Sequence, residues 1–134
     1  MRVAIGLVVV TSVALVSGCS RYTPEDAVRQ HIEAAAAGNV AYLREHTCGN
    51  LAKQLATRTD DEVRAAFVHY YEPKPDRFND HDATESPVMV EGYYTGATDL
   101  DIAFVIEDNG HGYWKVCEVR KGNGIFGTIP GPFG

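Results

Sequence analysis

Basic residues are scarce: 12 Lys plus Arg face 18 Asp plus Glu, a formal net charge of -6. A chain with that balance lacks the positive footprint that a phosphate backbone needs, so no nucleic-acid partner is expected. Long apolar runs are missing as well. The longest stretch, Val3 to Val16, falls short of the roughly 20 residues that a helix needs to cross a bilayer, which argues against a polytopic membrane protein. Cysteine occurs only three times and never as CxxC, so neither a thioredoxin-type motif nor a zinc knuckle is present. His31, His46, His69, His81 and His111 include no helical i, i+4 pair and no short ligand spacing; they read as solvated or capping residues, and no metal or cofactor is expected. The acidic segment from Asp76 to Glu85 does not follow a calcium-loop pattern. Glycines form no phosphate loop ahead of a helix, and no nucleophile elbow occurs.

What is present is enough for one folded domain: 45% hydrophobic and 10% aromatic residues in 134. The first eighteen residues read as an address. Arg2 precedes the apolar stretch, and Ser17 and Gly18 lead into Cys19, the layout of a cleaved signal peptide. The segment Val16-Ser17-Gly18-Cys19 resembles the lipobox of bacterial lipoproteins. That resemblance implies cleavage before Cys19 and a diacylglycerol on its thiol, with residues 19–22 as a tether. The expected location is the extracytoplasmic face of the cell membrane. Acyl chains contribute about 0.8 kcal/mol per buried methylene, so the anchor asks nothing of the folded domain. With Cys19 assigned to lipid, Cys48 and Cys117 remain as a pair in an oxidising compartment, and a disulfide between them is expected.

The remainder reads as helices first and strands after. Thr23 with Pro24, Glu25 and Asp26 marks a helix start, and Val28, Ile32, Ala35 and Ala36 recur at helical spacing until Gly38 and Asn39 supply a stop and a new cap. A second short helix carries Tyr42 and Leu43. Asn50, Leu51 and Leu55 suggest a brief turn. Thr59 and Glu62 form a capping box for a stripe of Val63, Ala66, Phe67 and Tyr70 that runs until Pro73. From Glu72 to Pro87 the composition is that of a loop. Beyond it the period changes to two: Val88–Tyr94, then Leu100, Ile102, Phe104 and Ile106 on one face, a turn at Asp108-Asn109-Gly110, and a partner strand over Tyr113–Arg120. The tail from Gly122 to Gly134 is rich in glycine and proline and is expected to be a mobile terminus; the alternative is that Phe126 and Phe133 reach a groove on this or a neighbouring molecule, making the tail a plug or an interaction arm.

The helix running from TPEDAV to AAAGNV, the Cys48 segment, the strand YYTGATDLDIAFVI and the closing GYWKVC together resemble the nuclear transport factor 2-like superfamily. More narrowly they resemble small lipoproteins of actinobacteria, mycobacteria above all, that carry this fold. The likeness covers residues 23–121 and implies an α+β domain in which N-terminal helices pack on a curved antiparallel sheet, forming a cone with an open, partly apolar pocket.

Function is less legible than fold. Trp114, the single tryptophan, is both a core anchor and a candidate ligand-stacking wall. Tyr70, Tyr93 and Asp101 join it as candidate ligand-binding residues. No catalytic residue is assigned. The leading expectation is a lipid-anchored envelope lipoprotein that binds a small apolar ligand or an envelope protein without catalysis. The alternative is a proton-transfer enzyme of the isomerase or dehydratase kind, in which Asp101 works with Tyr70, Tyr93 or Tyr94. A third possibility is an accessory subunit whose pocket is filled by its own side chains.

Overall fold

A computed structural model of the chain describes residues 22–96, 100–108, 110, 113–122, 128–129 and 131–133. The expected signal peptide, Cys19 and the first part of the expected tether, along with His111 and Phe126, lie outside the described residues. The order is α1 (Pro24–Ala37), α2 (Val40–Glu45), α3 (Gly49–Ala56), α4 (Asp60–Phe67), then β1 (Arg77–Asn79), β2 (Val88–Tyr93), β3 (Asp101–Asp108), β4 (Trp114–Gly122) and β5 (Thr128–Ile129). The fold is α+β. The strands form one open antiparallel sheet in sequence order, and none of the described helices is long and apolar enough to cross a membrane.

Local chemistry sets the helix boundaries. Thr23 and Asp26 exchange side-chain and backbone bonds at 3.1 and 2.9 Å, a reciprocal cap that satisfies two otherwise orphaned N–H groups of α1. Gly38 ends α1 in the left-handed region at φ 67°, which a side chain would resist. Thr59 and Glu62 repeat the capping box at α4. The segment read as a brief turn is the eight-residue helix α3, started by Cys48 at its N-cap position. Helix α4 stops earlier than Pro73. After Phe67 the chain tightens into turns in which Tyr70 N–H donates to the Phe67 carbonyl at 3.1 Å and Glu72 N–H to that of His69 at 3.2 Å. Tyr71 thereby takes the core position while Tyr70 is half-buried.

The strands bury alternate residues against the helices. Val88, Val90 and Gly92 of β2 face inward beside Ile102, Phe104 and Ile106 of β3, and the helices contribute Val28, Leu43, Leu55, Val63 and Phe67 to the same core. In β4 the register shifts opposite Val105 and Ile106, which pair with Glu118 and Val116. The extra residue is Cys117. This bulge lets Val116 and Cys117 both be buried, where strict alternation would expose one of them.

Two expectations are corrected. The Glu72–Pro87 segment contains β1, whose Phe78 pairs with Gly92 on β2; three residues are too few to carry a period, so composition alone made it a loop. The tail is docked where it is described. Thr128 and Ile129 pair with Gly122 and Lys121, and the Phe133 ring meets Phe67 edge-on at 5.6 Å with the Arg58 guanidinium 4.9 Å from its centre. Pairing with an open strand edge meets backbone needs that composition does not reveal. Deleting residues 128–134 is therefore expected to lower stability by about 1 to 3 kcal/mol, read from denaturant unfolding, because it strips an aromatic contact from Phe67. Unchanged unfolding would mean that the strip contributes nothing.

Candidate functional site

Three pieces of chain meet at one end of the sheet and enclose a cleft of about 690 Å³. That is the size of an ordinary small-molecule site. The start of α1 supplies Tyr22, Thr23 and Pro24; the loop between β1 and β2 supplies Asp80, Asp82, Ala83 and Thr84; the β3–β4 end supplies Asp108 and Trp114. Asp108 and Trp114 are direct cross-strand partners, so the sheet register places a carboxylate beside the indole.

Each wall is held by its own bonds. The Tyr22 hydroxyl donates to Gln30 Oε1 at 3.2 Å, and Tyr42 donates to the same oxygen at 2.7 Å. Burial, followed by the Tyr42 neighbour, pushes the Tyr22 phenol well above its ordinary range. In the acidic loop, Asn79 Oδ1 accepts from His81 N–H at 2.8 Å and Asp80 Oδ1 accepts from Asp82 N–H at 3.0 Å. These side-chain bonds hold His81 and Asp82 at φ 55°, a region non-glycine residues seldom occupy. Glu91 braces the loop from the strand behind: its Oε2 lies 3.1 Å from His81 Nε2 and accepts the Tyr93 hydroxyl at 2.7 Å. Those two contacts, Tyr93 first, lower the Glu91 pKa. Trp114 is only 8% exposed, yet it forms a wall of the cleft. It is therefore a core anchor and a lining residue together.

The other expected site residues do not join it. Tyr93 is 40% exposed on the outer face of the sheet, beneath the Arg77 guanidinium at 5.9 Å. Asp101 is exposed at the start of β3, where its carboxylate covers the α-carbon of Gly122. Tyr70 lies against Lys121, whose Nζ sits 4.5 Å from the ring centre and donates to the Tyr70 carbonyl at 2.7 Å. Burial raises the Tyr70 phenol to about 12 and lowers the Lys121 ammonium. Of the tyrosines that the proton-transfer alternative names, Tyr94 is buried at 8% exposed and lies close enough to Asp101 that burial, followed by the Asp101 charge, raises its phenol; neither Asp101 nor Tyr94 lines the cleft.

Cys48 and Cys117 form a disulfide pair with Cα atoms 4.3 Å apart. The sole cluster of three possible metal donors among the described residues is this pair with Glu107, and two of its three donors are bonded to each other.

His31 is not solvated. It is 1% exposed on the inner face of α1, its Nε2 is 2.6 Å from the Tyr71 hydroxyl, and Phe67 and Phe104 complete the surround at 5.9 and 6.3 Å between ring centres. Nδ1 has no partner. Burial lowers the His31 pKa to about 3 and raises that of Tyr71. Neither residue lines the cleft. The signal was available in part, since His31 follows Val28 by three residues and lies on the apolar stripe of α1. Comparison with protein-family models, curated proteins and solved structures finds no match to this chain.

Proposed function

We propose that the chain is a lipid-anchored cell-envelope protein whose α+β domain, a cone-like arrangement of the nuclear transport factor 2-like kind, binds a small ligand and catalyses no reaction. The observation that carries this reading is the cleft walled by Trp114, Tyr22 and Pro24. Its aromatic and proline walls suit an apolar body, and the described lining holds no histidine, cysteine or lysine. The disulfide pair supports an oxidising compartment. A diacylated Cys19 would stand three residues before Tyr22. An extended tether of that length reaches about 10 Å, so the mouth of the cleft would lie close to the bilayer surface.

Fractionating cells that express Cys19→Ala, and analysing by mass spectrometry what the native protein carries, tests both halves. The variant is expected to leave the membrane fraction for the medium, and extracts of the native protein to contain a small molecule at near-stoichiometric amount. Retention of the variant in the membrane would overturn the lipid anchor, and ligand-free extracts would overturn the binding role.

A further inference from the structure

We infer that the cleft recognises an ammonium group, a primary or quaternary amine carried on a small apolar body. The inference rests on the reading of the cleft as a binding site and names the chemistry of its ligand. Of the nine lining residues among those described, Asp80, Asp82 and Asp108 are acidic, and none of the nine is basic. Such a lining repels anions and concentrates cations, because low-dielectric walls focus the field of like charges. Asp80 is half-buried, and among the described residues neither Asp80 nor Asp82 has a cationic partner; the Asp80 carboxylate accepts only the Asp82 N–H at 3.0 Å.

The aromatic wall narrows the class further. A compact inorganic cation would gain from clustered oxygens, but the three carboxylates are not gathered into a tight donor group; the only such group among the described residues lies at the disulfide. A soft organic cation gains instead from the faces of Trp114 and Tyr22, with the carboxylates as counter-charge at a longer distance. Trp114 adds a second requirement. Its indole N–H donates to no group among the described residues and is not one of their buried unpartnered polar atoms, so it is open to an acceptor oxygen carried near the ammonium.

The chain's single tryptophan makes the test direct, since all indole fluorescence comes from this wall. The probe is choline, titrated at fixed ionic strength against its uncharged isostere 3,3-dimethylbutan-1-ol. Choline is expected to shift Trp114 emission saturably and to bind at least about tenfold more tightly than the isostere. The variant Asp80→Asn/Asp82→Asn keeps the oxygen that takes the Asp82 N–H, so the loop is retained while the preference for choline disappears. Vesicles of phosphatidylcholine distinguish the source: a shift equal to that with free choline assigns a lipid headgroup, and a shift with free choline alone assigns a soluble amine. Equal binding of choline and the isostere would overturn the ammonium assignment and leave the binding role standing. No response to either would also overturn it, and ligand-free extracts in the same preparation would remove the binding role with it.

Discussion

Replacing Cys48 and Cys117 together by alanine is expected to lower the melting temperature by about 10 to 20 °C, the largest effect of any change outside the central core. The pair is separated by 69 positions, and in the chain-entropy account closing a loop of that length removes roughly 4 kcal/mol of freedom from the unfolded ensemble. The bridge also has a specific structural task. It ties the N-cap of α3 to the bulge of β4, where the short link between α2 and α3 is already bonded to the sheet: Cys48 N–H donates to the Val116 carbonyl at 3.0 Å and Val116 N–H to that of His46 at 3.1 Å. Gly49 sits at φ 53°, and a methyl group on it would lie 3.4 Å from Cys117 Cβ. Little slack therefore exists for the helix to shift when the bridge is lost. Replacing Cys48 alone leaves Cys117 buried next to Glu107, whose Oε2 lies 2.7 Å from Sγ and can accept the new thiol proton. The single and double variants are accordingly expected to melt within a few degrees of each other. Non-reducing peptide mapping checks the pairing itself, and two free thiols on the folded protein would contradict it.

The legible parts of the fold were those fixed by interactions within a few residues. Thr23 and Asp26, or Thr59 and Glu62, cap a helix through bonds to N–H groups three positions away, so their spacing is already in the sequence. The alternation of Ile102, Phe104 and Ile106 likewise reports one buried face without reference to any partner. Where the deciding interaction is distant, the sequence is silent. β1 exists because Phe78 has Gly92 to pair with, and the docked tail because Lys121 and Gly122 leave an edge to occupy. Trp114 was visible as a candidate wall, but the carboxylates that face it come from a loop more than thirty positions earlier and from the opposite strand. No local period marks residues that converge only after folding. His31 is intermediate: its place on the apolar stripe was readable, whereas Tyr71, forty positions on, was not identifiable as its partner.

His31 is expected to make the domain acid-labile in a way that one substitution abolishes. The folded state holds the imidazole neutral, with burial lowering its pKa to about 3 from the ordinary 6.5. The unfolded chain binds a proton at the ordinary value, so between these limits unfolding takes up one proton that the folded state refuses. Stability from this residue is complete above about pH 6.5 and is lost progressively as the pH falls toward 3. The difference amounts to roughly 4 kcal/mol across the window, and to about 2 kcal/mol by pH 5. The surroundings explain the refusal. Phe67, Tyr71 and Phe104 pack their rings around the imidazole, Nδ1 has no acceptor, and the hydroxyl at Nε2 belongs to a phenol that burial itself keeps protonated. Charging His31 there would bury an unpaired cation. In His31→Phe the domain should retain its fold, since the space is already aromatic, while the Tyr71 hydroxyl loses its partner at a cost of about 1 to 3 kcal/mol near neutral pH. The variant is then expected to be less stable than the native chain at pH 7 and at least as stable at pH 4, where the native chain has lost about 3 kcal/mol. Denaturant midpoints measured at both values decide the matter: parallel pH profiles for the two proteins would show that folded His31 takes up its proton as readily as the unfolded chain.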